Sequence, residues 1–143
     1  MINIPEKDLG WIAGFLEGEG SFGRCGSTIS VSASQVQKYP LEVMSKLVGG
    51  NLNTYQQILD DKKTIMVYHR WQVYGMRAVE VMLSIYHLMS PKRKCQIEKT
   101  LSFWVTRPGN NSTKYYCEKE GYILGDRVAF KNRVLSLINS KNN

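Results

Sequence analysis

Residues 17 to 20 of this 143-residue chain read Glu-Gly-Glu-Gly, two carboxylates separated by one glycine, at the end of a stretch with helical spacing. Acidic side chains at a helix C-terminus oppose the macrodipole, and unpaired backbone carbonyls lie beside them. A hard divalent ion such as Mg²⁺ takes oxygen ligands of both kinds, so Glu19 with its neighbouring carbonyls is a candidate cation site. An isolated EGEG has a simpler reading, a solvated pair of acids ahead of a glycine stop. The helix that carries the acids argues for more. Gly10, Gly14 and Gly18 recur every four residues and form one flat stripe, flanked by Leu9, Ile12, Phe15 and Leu16. Each interior glycine costs about 1 kcal/mol relative to alanine, so the stripe implies a compensating close approach of another backbone. Glu17, Glu19 and the absence of an apolar run of about 20 residues exclude a membrane-spanning dimer, which leaves contact between soluble helices.

Ile12-Ala13-Gly14-Phe15-Leu16-Glu17-Gly18-Glu19-Gly20, followed by Ser21-Phe22, resembles the LAGLIDADG motif of homing endonucleases over the motif's full length. The order of elements downstream is similar to that of single-motif members of the family. The resemblance implies that the helix packs on its counterpart in a second copy through Gly14 and Gly18. It implies that Glu19 binds metal, that the Gly18 carbonyl joins the metal shell, and that Glu17 orients and caps the helix interface. Both acids are Glu where the motif's name has Asp, so charge is kept on a longer side chain. Gln37 corresponds to the glutamine that positions water near the metal, with Gln35 as the alternative. The basic run Lys92, Arg93 and Lys94 corresponds to the segment that places a lysine near the scissile phosphates; Arg93 aligns with that lysine.

The elements that must position these groups follow from changes in periodicity. Ser21 to Arg24 and Thr28 to Gln35 read as a hairpin, with Ile29, Val31 and Ala33 on a buried face and Ser30, Ser32 and Ser34 on a polar one. Pro40 favours a helix start, and Gly49-Gly50 ends the helix after Leu41, Met44, Leu47 and Val48. The unit then repeats. Asn51 to Ile58 and Thr64 to Tyr74 form a second hairpin, followed by a helix with Val79, Met82, Leu83 and Tyr86, broken at Ser90-Pro91. A helix from about Lys92 to Val105, a loop RPGNNST and a last helix capped by Asp126 complete the chain. The expected fold is α+β, an αββαββα arrangement in which a four-stranded antiparallel sheet carries helices on one face, with residues 1 to 143 as a single domain.

A sheet covered on one side offers the other to a ligand. The parity set by Leu52, Trp71 and Val73 turns Asn53, Tyr55, Gln57, Tyr68, Arg70 and Gln72 outward, side chains that can bond base edges in a major groove. Arg24 follows the parity of Phe22, yet lies near enough to a hairpin tip to reach a phosphate. Trp11, Trp71 and Trp104 are expected in the core, and neither His69 nor His87 belongs to a metal-ligand cluster.

Nineteen Lys and Arg against twelve Asp and Glu give a net charge of +7, which favours phosphate-rich partners. Cys25, Cys95 and Cys117 are odd in number and lack a CxxC pair, which favours reduced intracellular thiols over a disulfide framework or zinc. No leader is evident at the N-terminus, so the expected setting is a bacterial cytoplasm or an organelle. The resemblance implies a homodimer that uses Mg²⁺, or another divalent ion such as Mn²⁺, to cut both strands of a long, near-palindromic DNA site and leave short 3′ overhangs. Two other classes fit the scaffold: an intron-RNA-binding splicing maturase, and a noncatalytic DNA-binding regulator.

Overall fold

Strand alternation and helical spacing resolve into the expected elements in the computed structural model, which describes residues 4–106 and 124–141, with the backbone alone for 124–130 and 141. In order they are α1 (Glu6–Glu19), β1 (Gly20–Cys25), β2 (Thr28–Gln35), α2 (Tyr39–Val48), β3 (Asn51–Ile58), β4 (Ile65–Tyr74), α3 (Gly75–Ile85), a 3-10 turn (Tyr86–Leu88), α4 (Pro91–Thr106) and α5 (Leu124–Lys141). The four strands form one antiparallel sheet in the order β1-β2-β4-β3. The fold is α+β.

The helices pack on the face that carries Ile29, Val31, Ala33, Trp71 and Val73, all buried, and meet it with Leu16, Leu41, Met44, Met82, Ile97 and Leu101. Helix α3 is the most enclosed, which explains its near-continuous apolar run. Beyond the Leu52–Trp71 row the cover stops. Ile58, Ile65 and Val67 keep the parity of the covered face, yet Ile58 is 67% exposed because the β3–β4 hairpin projects past the helices.

Two expectations change. Helix α5 begins at Leu124, so Asp126 lies within it and does not cap it. Trp11 is 40% exposed, because the buried side of α1 is set by Ile12, Ala13 and Leu16; its ring stacks on Phe15 instead, centroids 5.3 Å apart. Trp71 and Trp104 are buried as expected. The RPGNNST loop and Cys117 lie outside the described residues. Among the described residues no helix is long and apolar enough to cross a membrane.

The turn between α2 and β3 depends on Gly50. Its φ is +103°, and a Cβ there would lie 2.7 Å from Val73 Cγ1 and 2.8 Å from Trp71 Nε1, which donates a 2.7 Å hydrogen bond to the Gly49 carbonyl. Gly50→Ala therefore combines backbone strain with overpacking against the central strand. A loss of about 2–4 kcal/mol is expected, seen as a lower urea midpoint at unchanged slope; an unchanged midpoint would show that the turn has room to yield.

Candidate active site and nucleic-acid interface

Helix α1 passes into β1 with no intervening loop: Glu19 is the last helical residue and Gly20 the first of the strand. Gly20 is extended, and its N–H donates to the Leu16 carbonyl. A Cβ on Gly20 would meet that carbonyl oxygen at 2.5 Å, so only glycine permits the immediate switch from helix to strand.

The two acids on this turn have different surroundings. Glu17 Oε1 accepts from the Ser90 N–H at 2.6 Å and Oε2 from the Ser90 hydroxyl at 2.8 Å. Ser90 is in turn the N-cap of α4, where its Oγ accepts from the Arg93 N–H at 3.3 Å ahead of Pro91. Arg93 Nε donates to the Glu17 carbonyl at 3.0 Å and lies 3.8 Å from the carboxylate. The anion of one helix thus sits at the positive end of another. These contacts resolve the conflict of an acid with the dipole at the C-terminus of α1, and they also set an anion beside the basic residues in the first turn of α4, where cations oppose that helix's dipole. The Ser90-Pro91 pair, read in sequence as a break, is the cap signal that could have revealed the contact.

Glu19 and Gly18 are exposed. Among the described residues the hydrogen bonds at this terminus fall on the Leu16 and Glu17 carbonyls, and none falls on the Gly18 carbonyl or the Glu19 carboxylate. That donor set is oxygen only, which suits a hard cation, and supplies a minority of the six ligands that such an ion takes. No group of three or more His, Cys, Asp or Glu side chains that could hold a metal occurs among the described residues.

Register brings the other candidates to the same end of the sheet. Gly20 pairs with Ala33, so Gln35 lies two residues past the strand's crossing with the α1–β1 junction, on the parity of Gly20. Gln37 lies in the exposed bend that follows β2. Of the basic run, Arg93 is engaged by Glu17 and by Gln96 Oε1 at 2.9 Å, and Lys94 Nζ lies 5.4 Å from the centroid of the Tyr86 ring. Lys92 is exposed.

The open face of the sheet gathers most of the remaining residues into rows. Ser32, Gln72 and Asn51 are neighbours across β2, β4 and β3; Ser34, Arg70 and Asn53 form the next row; Tyr68 and Tyr55 the next, with their rings stacked at 5.5 Å. Gln57 continues along β3 beside Met66. Two predicted contacts are placed differently. Ser30 shares the open-face parity but is 8% exposed, with Tyr74 as its register neighbour. Arg24 has the parity of the helix-covered face, and its guanidinium lies 3.9 Å from the centroid of Phe103 on α4. Asn51 and Tyr74 belong to the open face and were missed. The alternation that selected Gln72 extends to both.

Comparison with solved structures follows this geometry. The homing endonuclease I-CvuI in complex with its target Sro1.3 in the presence of Ca matches 87% of this chain and 82% of its own, at a TM-score of 0.50 and 18% identity. The same enzyme in complex with the I-CreI target in the presence of Mg gives 0.48 and 17%, over 88% of this chain and 82% of that one. The archaeal intron-encoded homing endonuclease I-Vdi141I complexed with DNA gives 0.46 and 14%, over 90% and 97%. No family model and no curated relative matches the sequence. The chain thus shares the fold of I-CvuI, a protein that its structure shows on DNA.

The hydrogen bond from the Ser90 N–H is the largest influence on the Glu17 carboxyl and lowers it; burial opposes this, and the Ser90 hydroxyl with the charges of Arg93 and Lys92 leaves it below its ordinary value of 4.5. A folded-state value below the unfolded one means stability that is full above about pH 4.5 and lost as pH falls through the lower folded value. Between pH 6 and pH 3 the thermal midpoint of the wild type is expected to fall further than that of Glu17→Gln. Parallel falls in the two proteins would remove Glu17 from the acid response.

Proposed function

We propose that the chain is a divalent-metal-dependent, sequence-specific DNA endonuclease, acting as a homodimer on a long, near-palindromic duplex. The observation that carries this reading is the asymmetry of the acidic turn. Glu17 is committed to Ser90 within the chain, while Glu19 and the Gly18 carbonyl stand exposed, with no hydrogen bond to them among the described residues, beside a sheet face of hydrogen-bonding side chains. The fold shared with I-CvuI, crystallised on its DNA target in the presence of Ca, supports it.

In this mechanism Glu19 and the Gly18 carbonyl would hold Mg²⁺ or a similar ion, and the chemistry such an ion would supply is neutralisation of phosphate charge and a lowered pKa for water. Gln35, at the end of β2, or Gln37, in the bend beyond it, holds the attacking water by hydrogen bonds. Lys92 adds positive charge beside the phosphate. Arg93 works indirectly, by tying the N-terminus of α4 to the last turn of α1 and so fixing where Lys92 stands. The outward rows of β2, β3 and β4 lie in the major groove, which a β-ribbon fits.

One chain supplies one Glu19, too few carboxylates for a centre that serves two strands. The second comes from another copy. Among the described residues, a Cβ placed at Gly10, Gly14 or Gly18 would meet no atom within 4 Å beyond its own helix backbone, which leaves room for a partner helix to approach the stripe closely. The resulting two-fold axis matches a near-palindrome.

Glu19→Gln is expected to reduce plasmid cleavage by more than the roughly 10- to 100-fold typical of lost outer-shell contacts, while duplex affinity by gel shift stays within a few-fold. Chelation should stop the wild type, and added Mg²⁺ should restore it; cutting by Glu19→Gln at the wild-type rate would end the metal-ligand assignment. Gly14→Leu should leave the circular dichroism of the chain intact, shift sedimentation to the monomer and abolish double-strand cleavage. A fully active Gly14→Leu dimer would contradict the helix-stripe interface.

A further inference from the structure

We propose that Arg70 is the guanine-reading residue of the open face, fixing a G·C pair at two symmetry-related positions of the target. The inference rests on the DNA-binding reading above and adds a base to it.

Arg70 lies on β4, an interior strand with β2 on one side and β3 on the other, so it stands near the midline of the face. Side chains on the midline of a ribbon seated in a major groove approach the base edges, while the flanks pass the phosphates. Its side chain is also braced. Arg70 Nε donates to Ser34 Oγ at 3.2 Å, and the guanidinium carbon lies 5.6 Å from the centroid of Tyr55, whose ring is itself stacked on Tyr68.

This bracing separates a base contact from a phosphate contact. Arginine gives up rotamer entropy when it is ordered, and a phosphate can be met from many rotamers without ordering it beforehand. A base edge requires one orientation. With Nε engaged by Ser34, the two terminal nitrogens remain as parallel donors, and guanine presents N7 and O6 side by side as acceptors in the major groove. Adenine places a donor where guanine has O6, and the pyrimidine edges offer no such pair of acceptors.

Gln72, two residues along the same strand, shows the contrast. Its Oε1 accepts from the Tyr74 hydroxyl at 2.6 Å, which leaves the amide to donate, and a single donating group matches an acceptor on more than one base. Among the described residues of this face, Arg70 is the long side chain held both by a hydrogen bond and over a ring.

The test is selection of bound duplexes from a randomised library by the full chain, with Arg70→Gln, Arg70→Ala and Ser34→Ala beside the wild type and circular dichroism to verify folding. The wild type should enrich G at one symmetric pair of positions. Arg70→Gln should change that preference to A, which glutamine bonds bidentately, and leave the other positions as they were. Arg70→Ala should relax discrimination at that pair by about 5- to 150-fold with an unchanged salt slope, and Ser34→Ala should relax it in part. Uniform weakening across all sequences, with the salt slope reduced by about one, would make Arg70 a phosphate contact and overturn the inference. An unaltered preference in Arg70→Ala would overturn it too, while leaving sequence-specific binding in place. A wild type that selects no sequence would overturn both the inference and the reading beneath it.

Discussion

The arrangement depends on a helix that becomes a strand without a loop. Gly20 N–H closes on the Leu16 carbonyl, Arg93 closes on the Glu17 carbonyl, and Ser90 takes the Glu17 carboxylate, so the last turn of α1 is clamped from the strand side and from α4. Everything on that turn with a partner in the chain is used to hold it. Among the described residues no hydrogen bond falls on the Gly18 carbonyl or the Glu19 carboxylate, which are carried at the surface by this clamped turn. Rigid support from neighbouring bonds is what a site needs if its own polar atoms are to stay available.

The same junction sets the sheet. Because β1 starts at Gly20 and pairs Gly20 with Ala33, the register of β2 follows, and through β2 that of β4 and β3. Parity then decides which side chains lie under helices and which lie open. A slip of one residue would turn Arg70 and Gln72 inward and Trp71 outward. Burial of Trp71, with its indole N–H bonded to the Gly49 carbonyl, opposes that slip, so core packing on one face protects the chemistry of the other.

The open face is rich in neutral hydrogen-bonding groups, and Arg70 is the cation among its rows. Other cations lie outside these rows, at Lys62 and Lys63 beside Asp60 and Asp61 in the exposed turn of the second hairpin and at Lys92 on α4. Such a division suits a nucleic-acid ligand. Charges at the margins supply sequence-independent attraction to phosphates, and oriented donors and acceptors in the middle supply discrimination.

Much of this was legible in the residues. Strict alternation in Ile29 to Ser34 and around Trp71, the helical spacing of Leu41, Met44 and Val48, and the Gly49-Gly50 stop set the strands, the helices and their faces, because local periodicity and burial are short-range properties. The pairing of Glu17 and Glu19 on one turn was equally plain, and the family resemblance implied a different role for each, but the group that holds Glu17 was not legible. It is Ser90, 73 positions away in the chain. The engagement of Arg93, the placing of Arg24 over Phe103, the exposure of Trp11 and the burial of Ser30 were hidden for the same reason. Each depends on which distant side chain arrives beside it. Sequence by itself determined the elements and their faces; only the tertiary structure decided which polar groups are used up in holding them together, since a hydrogen bond between distant residues leaves no periodic trace.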